Sequence, residues 1–576
     1  MGFKMQNKIV LYCFAIIFQF FLLVNGSRVD HHDNRNTSTK ENPKLQQVSP
    51  PVKLTVTSQY VVIDNGIVQL SLTNPTGSMF GVKYNGIDNL LEPLQETQRG
   101  LLASKFSVIA QDDNKVEVSF QKIYDPLNGN NPPLNVDKRY VMLRGSSGFY
   151  SYGTFQHLKG WPAVNLDEAR IAIKLSKSLF HFMAISDDRQ RIMPTEEDRA
   201  SGQTLDYREA VKITNPSNPR LKDEVDDKYQ YTDEIKNIKV HGWISDTPHM
   251  GFWVISPSYE YCNGGPMKQD LTSHVGPTSM AIFFSGHYAG PQLGVSLTNG
   301  EAWTKVFGPM NEETNKWPYD FPASIDYLHA NQRGSVSGQL MVHDWYINVD
   351  VFPALNAYIG LAEPGLVGSW QSDTKGYQFW TQTDDSGNFK INNVRPGIYG
   401  VYSWVPGVMG DYKFSSYITV TQVYKVGVSD FRKDWFFAHV NRRNKDRSFS
   451  ATTWQIVFDV KNVDSSGTYH LHIALASASY AHLLVWINTP SKPRPWFDSS
   501  PIGMSNAIAR HGIHGLYMIF DIEFPGTQLY IGENIIYLKQ ASVYGPFTGL
   551  MVDDPFIVNH PIYSCMENDS VTILKS

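Results

Sequence analysis

Two polar stretches in the middle of the chain carry residue types that could do acid–base chemistry. The first reads Asp-Asp-Lys-Tyr-Gln-Tyr over residues 226–231 and is followed by Val-His-Gly-Trp over residues 240–243. The second, residues 262–276, contains Gly-Gly-Pro and then a polar run that ends in His-Val-Gly. Lysine, tyrosine and histidine can all exchange protons with a substrate, and glycine-rich loops can approach a ligand closely. These stretches are the first candidates for a functional site.

Each stretch also has an ordinary structural interpretation. A lysine that follows two aspartates, as Lys228 does, is typical of a solvent-facing strand. A single loop histidine such as His274 is often structural. The residue types alone therefore leave both interpretations open.

The chain has no standard catalytic or nucleotide-binding motif. Walker A, His-Glu-x-x-His, Cys-x-x-Cys, Gly-x-Ser-x-Gly and Gly-x-Gly-x-x-Gly patterns are all missing, which argues against nucleotide, zinc-protease and serine-hydrolase chemistry. The acidic run Glu196, Glu197 and Asp198 is interpreted as a solvated loop. A glycosidase needs two carboxylates on opposite sides of one bond, and the sequence alone cannot pair them.

The charge balance argues against a nucleic-acid partner. Lys and Arg total 50 and Asp and Glu total 55, which gives a formal net charge of −5. No basic field of the kind that holds nucleic acid is present. An anionic polymer would have to be met by local cations.

Composition and patterning predict an all-β protein. The 576 residues are 42% hydrophobic and 13% aromatic, with 43 Gly and 32 Pro, a mixture that favours strands and turns. Residues 60–63 and 67–72 alternate on either side of Asp-Asn-Gly, which predicts a hairpin. Further strands are expected at 53–57, 115–121, 138–143 and 171–175. We predict a large antiparallel β-sandwich over residues 52–330.

Two smaller β units are predicted after it. Residues 331–430 contain turn–strand–Pro-Gly–strand patterns typical of a small sandwich of prealbumin or carboxypeptidase-regulatory type. Residues 431–576, with strands expected at 454–460, 469–474 and 483–487, fit a β jelly roll. The second unit is interpreted as a spacer, and the aromatic residues of the third as either sugar-stacking or core residues.

The N-terminus predicts secretion. Residues 1–26 combine two early lysines with an apolar run and are interpreted as a signal peptide, followed by a flexible leader at 27–51. Glycosylation sequons begin at Asn36 and Asn568. Whether Cys262 and Cys565 form a disulfide is left open. An extracellular, cell-wall location without membrane attachment after signal cleavage is expected.

The chain resembles the rhamnogalacturonan lyases of polysaccharide lyase family 4, in their plant branch. The resemblance is carried by the Asp-Lys-Tyr segment at 227–229, the His-Gly-Trp segment at 241–243, the Gly-Gly-Pro loop that leads to His274, and the three-unit layout. It implies a galactose-mutarotase-like sandwich, a fibronectin-III-like sandwich and a carbohydrate-binding-like jelly roll. It also implies an endolyase that acts on rhamnogalacturonan I.

The family reaction is a β-elimination at galacturonate, and the resemblance assigns its two proton-transfer residues. Lys228 matches the base that removes the C5 proton, and His274 matches the acid that protonates the leaving rhamnose-side oxygen. Lysine starts near a pKa of ~10.4 and must be neutral to act as a base, whereas histidine, near ~6.5, can hold a proton for donation. The resemblance further places six residues in substrate binding. They are His181, Arg189, Arg191, Tyr229, Tyr231 and Lys268.

The sequence departs from the fungal members of the family in the expected substrate subsites. Fungal members use an arginine for the uronate carboxylate, and His181 stands near that position here, with Arg189 and Arg191 as replacement cations. Fungal tyrosines before the acid are replaced by Met267 and Gln269. Lys268 is a further local cation, with a solvent-facing loop lysine as the alternative interpretation.

The residues leave two other functions open beside the lyase. One is a cell-wall pectin-binding protein without turnover, and the other is a glycoside hydrolase or epimerase on the same sandwich. We expect a monomer that requires no cofactor; the sequence contains no predicted metal site and leaves a calcium requirement open.

Overall fold

The computed structural model describes residues 15–18, 49–93, 101–128, 131–205, 209–286, 293–310, 316–343, 352–365, 369–404, 423–429, 438–444, 446, 448–475, 477–503, 518–543, 549–551 and 574–575. These residues form mostly strands and turns, so the all-β prediction is confirmed. The described part also contains the α-helix Glu196–Ala200 and five 3-10 helices. The 3-10 helices are Pro219–Leu221, Lys228–Tyr231, Ala330–Gln332, Ser369–Gln371 and Gly526–Gln528.

Several predictions for the chain termini lie outside the described residues. These are the leader up to residue 48, both sequon asparagines, Asn36 and Asn568, and Cys565. Of the predicted signal peptide, the strand Ala15–Phe18 is described, and it pairs antiparallel with residues 340–343. None of the helices in the described ranges is long and apolar enough to cross a membrane.

The described part of the first unit contains a four-stranded and a five-stranded antiparallel sheet, which we call the two larger sheets, and five further sheets of two to four strands, which we call the short sheets. The first larger sheet consists of Lys53–Val56, Tyr60–Asp64, Val68–Thr73 and Met79–Tyr84. The second consists of Lys105–Gln111, Lys115–Lys122, Asn135–Leu143, Tyr150–His157 and Trp303–Met310. The remaining strands form the short sheets. Two of these sheets have two strands each: Val164–Leu166 with Val295–Leu297, and Thr232–Glu234 with Gln269–Leu271. The other three are Glu168–Lys174 with Thr278–Ser285 and Ser273–His274; Gln203–Thr204 with Val211–Lys212 and Val225–Asp226; and Phe182–Ala184 with Gln190–Ile192, Val240–Asp246 and His249–Ile255.

The predicted Asp-Asn-Gly hairpin is confirmed and helps to fix the two larger sheets together. Tyr60–Asp64 and Val68–Thr73 pair antiparallel around the turn, where Gly66 has a φ of +82°. The side-chain oxygen of Asn65 accepts the backbone N–H of Val68 at 2.9 Å, and its amide donates to the Leu143 carbonyl at 2.9 Å. Because this side chain is fully buried, its hydrogen bonds satisfy groups that would otherwise be costly to bury.

One hydrophobic core extends from the larger sheets to the short sheets. Ile63 and Leu72 from the first larger sheet share a buried cluster with Phe120 from the second. The same cluster includes Trp243 and Leu271, which lie on short-sheet strands. The short strands therefore rest on a packed scaffold, whose interior tolerates little displacement.

The second and third units are also built from strands. The second has Gly334–His343, Phe352–Pro353, Tyr358–Ala362, Phe379–Gln382, Asn388–Val394 and Gly400–Trp404. The third has Ala438–Val440, Arg442–Arg443, Phe449–Ser450, Thr452–Val460, Thr468–Leu475, Ser477–Ser479, Leu483–Ile487, Phe497–Asp498, Met518–Pro525, Gly532–Gln540, Gly549–Met551 and Leu574–Lys575. The strand Val423–Lys425 lies before the predicted start of this unit at residue 431, but it pairs in parallel with Thr452–Val460 of the third unit.

Buried charges join the first unit to the second. Glu260 binds Arg333 at 2.5 Å and Arg395 at 3.1 Å, and the two arginine side chains are 1% and 9% exposed. Lys305 is fully buried and donates to the carbonyls of Thr374 at 3.1 Å and Gly376 at 2.6 Å. Burial lowers the pKa of Lys305 to about 8. These contacts fasten the segment around residues 373–378 to the first unit.

Candidate functional site

A short antiparallel ladder brings the two polar stretches of the sequence together. Thr232–Glu234 pairs with Gln269–Leu271, with Thr232 opposite Leu271. The 3-10 helix Lys228–Tyr231 leads into the first strand, and Ser273–His274 follows the second. Antiparallel pairing therefore places the beginning of one element beside the end of the other.

Direct contacts confirm that these two flanking elements are neighbours. The backbone N–H and the hydroxyl of Thr272 donate to the Tyr231 carbonyl at 3.0 and 3.1 Å. Residues of Ser273–His274 lie within 8 Å, Cα to Cα, of residues of Lys228–Tyr231. The backbone thus brings the segments of the predicted base and acid together. The side chains of Lys228 and Tyr229 lie outside the described part of the chain, and both residues remain predictions.

A buried polar cluster lies beside Lys228 in the chain. Arg199, from the α-helix, pairs with the carboxylate of Asp226 and also donates to its carbonyl at 3.0 Å. The hydroxyl of Tyr231 donates to the same carboxylate at 2.9 Å. Burial raises the pKa of Asp226 and also that of Tyr231. The Tyr231 hydroxyl is therefore buried and already donates its proton to the Asp226 carboxylate, which places it poorly for the substrate contact that the resemblance implies.

His274 occupies an exposed position on a well-supported strand. It pairs in register with Thr278, and the intervening turn contains Gly276 with a φ of +75°. The preceding residue, Ser273, is buried, donates to the Thr278 carbonyl at 2.6 Å and accepts from the Trp243 indole at 3.0 Å. An exposed imidazole on a fixed backbone can reach a substrate in solvent, as proton donation requires.

The His-Gly-Trp segment packs against this strand and hydrogen-bonds to it through Trp243. His241 is buried, and its ring nitrogens face the carbonyls of Ile238 at 2.9 Å and Met280 at 2.7 Å; burial lowers its pKa. A Cβ on Gly242 would lie 2.0 Å from the Phe252 carbonyl oxygen, so only glycine fits. The motif thus has a packing function.

The Gly-Gly-Pro loop is also explained by packing. Gly264 and Gly265 have φ values of +81° and +78°. A Cβ on Gly264 would lie 2.4 Å from the Lys268 side chain, and one on Gly265 would lie 2.4 Å from the Trp370 ring. The glycines therefore make room for a buried lysine and for a tryptophan of the second unit.

The predicted substrate cations fall into two groups. His181 is exposed, and its carbonyl accepts from the Met193 N–H at 3.2 Å, next to the strand Gln190–Ile192. On either side of Gln190, Arg189 donates to the Thr232 carbonyl at 2.8 Å and Arg191 pairs with Glu224. The structure therefore brings His181, Arg189 and Arg191 onto one hairpin.

Lys268 lies in a different setting. It is 4% exposed and its ammonium contacts Asp270 at 2.5 Å. The alternative interpretation of Lys268 as a solvent-facing lysine is wrong, because the chain buries it with a counter-charge. An ammonium that is already paired in the interior is poorly placed to meet a uronate.

The structure adds contacts that the sequence did not predict. Arg199 and Asp226 form the ion pair next to Lys228, although Arg199 lies 27 positions from Asp226. The acidic run that we interpreted as a solvated loop is instead the start of the helix Glu196–Ala200, and Asp198 is buried in its capping box with Thr195. The Thr-x-x-Asp spacing at 195–198 was the available signal.

No metal site emerges within the described residues. They contain no group of three or more His, Cys, Asp or Glu side chains that could hold an ion. Cys262 is a buried thiol whose Sγ lies 3.8 Å from the Ile282 carbonyl oxygen, and burial raises its pKa.

Comparison with known sequences identifies similar proteins. Residues 35–103 and 97–225 match the rhamnogalacturonate lyase family, and residues 368–554 match polysaccharide lyase family 4, domain III, a CBM-like domain. The chain is 21% identical over 524 residues to a rhamnogalacturonate lyase of Dickeya dadantii, which covers 74% of this chain and 81% of that relative.

Fungal relatives match a shorter part of the chain. Identity is 24% over 313 residues to a probable rhamnogalacturonate lyase B of Aspergillus terreus and 23% over 316 residues to a rhamnogalacturonate lyase B of Emericella nidulans. Each match covers 48% of this chain and 45% of the relative. The chain thus spans just under half the length of these fungal relatives.

Proposed function

The chain belongs to the rhamnogalacturonate lyase family, and we propose that it is a secreted endolyase that cleaves the rhamnose–galacturonate bond of rhamnogalacturonan I by β-elimination. The observation that carries the proposal is the contact between the Lys228–Tyr231 helix and the Ser273–His274 strand. Segments that are far apart in the sequence lie close together there, as the segments that carry a base and an acid for one sugar must.

In the proposed reaction, the neutral amine of Lys228 removes the proton on C5 of galacturonate. The C5–H electrons form the C4–C5 double bond, the C4–O4 bond breaks, and His274 gives its proton to the departing oxygen. No water is consumed and no oxidant is needed. Acid–base assistance of this kind requires both groups within hydrogen-bond reach of the sugar, and the exposure of His274 is consistent with that role.

Charge that develops on the uronate needs a cationic partner. Arg189 and Arg191 are the proposed partners, with side chains that are 26% and 36% exposed. Each guanidinium already contacts a carboxylate, Asp233 and Glu224 respectively, so a substrate must share these cations. Lys268 is left out of this role because it is buried.

The test is the ultraviolet absorbance of the unsaturated product. The purified protein is incubated with rhamnogalacturonan I and, in parallel, with homogalacturonan. We expect an increase with the first polymer only, and its loss in Lys228→Ala and in His274→Ala with unchanged thermal unfolding. Lys239→Ala and His249→Ala, which alter exposed residues of the same types, serve as matched controls and should retain activity.

Other outcomes would overturn the proposal in distinct ways. Saturable polymer binding without unsaturated product would indicate a binding protein. Cleavage that leaves saturated ends would indicate a hydrolase. Full activity of Lys228→Ala would remove the assigned base.

A further inference from the structure

We propose that the short helix Glu196–Ala200 is a positioning element that sets the approach of Lys228 to His274, with Arg199, Asp226 and Tyr231 as positioning residues. The inference rests on the proposed function, because it assigns these residues to the same active site. It follows from contacts that the two ends of this helix make with the two segments of the site.

The C-terminal part of the helix holds the Lys228 segment. Nη1 of Arg199 donates to the Asp226 carbonyl at 3.0 Å and pairs with its carboxylate, while Nη2 donates to the Glu209 carbonyl at 2.8 Å. The Arg199 and Asp226 side chains are only 11% and 3% exposed. A buried guanidinium that spans several acceptors fixes geometry better than a surface pair.

Asp226 in turn clamps the 3-10 helix from both of its ends. It lies two residues before Lys228 in the chain, and its carboxylate accepts the hydroxyl of Tyr231, the last residue of that helix, at 2.9 Å. The backbone at Lys228 therefore lies between Asp226 and Tyr231, which are joined by this hydrogen bond. Loss of either the Asp226 carboxylate or the Tyr231 hydroxyl breaks the hydrogen bond that holds the two ends of the turn together.

The N-terminal residue of the α-helix meets the turn that follows His274. A Cβ on Gly276 would lie 2.8 Å from Oε1 of Glu196, so the two residues are in close contact. The other carboxylate oxygen of Glu196 accepts from Lys177 at 2.5 Å. The helix thus contacts the acid segment through Glu196 and the base segment through Arg199.

The helix itself is rigidly anchored. Thr195 and Asp198 form a reciprocal capping box with both hydrogen bonds at 3.0 Å. The second oxygen of Asp198 accepts the backbone N–H of Ser217 at 2.7 Å. A capped, anchored helix can transmit a fixed spacing between the elements that it contacts.

The test compares kcat and KM in variants that remove single contacts. Tyr231→Phe deletes only the clamping hydroxyl, and Asp226→Asn keeps the shape of the side chain. Each should lower kcat about tenfold to a hundredfold, because displacement of a catalytic group by about 1 Å costs on that order. KM should stay within about twofold.

A double variant separates positioning from general destabilisation. Because Asp226 and Tyr231 share one contact, Asp226→Asn with Tyr231→Phe should lose no more than the worse single variant. Arg199→Lys should recover part of the activity that Arg199→Met loses. The control is Arg395→Lys, which weakens the buried ion pair with Glu260 at the junction of the first two units and should lower stability without changing kcat.

The outcomes distinguish this inference from the proposed function. If the wild type is active and Lys228→Ala is not, but Tyr231→Phe and Asp226→Asn keep wild-type kcat, the positioning inference alone is wrong. Losses that multiply in the double variant would also contradict it. A wild type that forms no unsaturated product overturns both.

Discussion

The indole nitrogen of Trp243 donates a hydrogen bond to the hydroxyl of Ser273 at 3.0 Å, so the His-Gly-Trp segment supports the residue immediately before His274. The same indole also reaches the Thr278 carbonyl at 3.2 Å. Trp243 therefore bonds to both strands that flank the Gly276 turn. Through its indole, the His-Gly-Trp segment supports the backbone that carries His274.

Trp243→Phe should destabilise the protein by about 1 kcal/mol, because it removes one buried donor while it keeps most of the ring. Urea unfolding of the variant and wild type measures the difference. Trp253→Phe is the matched control, since Trp253 lies on the neighbouring strand and is 42% exposed; its effect should stay within about 0.5 kcal/mol. Equal losses in both variants would contradict a specific role for the Trp243 indole.

Gly242→Ala should be destabilising by about 1–3 kcal/mol or more. The added Cβ would lie 2.0 Å from a backbone oxygen of Phe252, and backbone in a paired strand cannot move aside cheaply. Gly334→Ala provides the comparison because nothing lies within 4 Å of its Cβ position. Equal unfolding temperatures for the two variants would contradict this prediction, because they would show that the strands at Gly242 move apart to accommodate a Cβ at little cost.

Glu260→Gln should cost about 3–5 kcal/mol, since it leaves Arg333 and Arg395 buried without their counter-charge. Asp88→Asn disrupts the exposed pair with Lys83, whose aspartate is 94% exposed, and should cost less than about 1 kcal/mol. Chemical denaturation of both variants makes the comparison. A loss at Glu260 as small as that at Asp88 would mean that the junction opens to water.

The third unit should lose stability in acid through His439. Its ring stacks on Trp454 at 4.2 Å between centroids, and burial lowers its pKa to about 3, whereas the unfolded chain has the ordinary value near ~6.5. Between these values the unfolded state binds the proton and the folded state does not, so stability falls as the pH falls, by up to about 1.4 kcal/mol per pH unit.

His439→Phe keeps a ring on Trp454 and removes this titration. The stability of the wild type should therefore fall more steeply than that of the variant from pH 6.5 toward pH 4, as measured by unfolding at a series of pH values. Parallel curves over that interval would rule out His439 as the source of the acid sensitivity.

The fold class followed from local patterning. Alternation around Asp-Asn-Gly located the hairpin of Tyr60–Asp64 and Val68–Thr73 to within a residue, because the turn and the burial period both act over short distances. The strand predicted at 171–175 is longer in the structure, Glu168–Lys174, and its register with Thr278–Ser285 has a bulge between Ala169 and Arg170 that no local pattern marks.

The site could be predicted only in part. The resemblance pointed to the segments of Lys228 and His274, which the backbone does bring together. The pairing of Arg199 with Asp226 depends on how a short helix docks, which is a tertiary property. Burial of Lys268 against Asp270 was likewise invisible, because a Lys-x-Asp spacing is equally typical of a solvated loop.

Trp370 of the second unit packs closely on Gly265 of the first, where a Cβ would lie 2.4 Å from the ring. This contact limits where the chain can be divided to make chimeric proteins. A second unit grafted onto another protein would carry the Trp370 indole, which is 5% exposed in this fold, and two arginines into water or onto a mismatched surface. A first unit expressed alone would keep Lys305 without its carbonyl acceptors at residues 374 and 376. For protein engineering, the first two units should therefore be transplanted together.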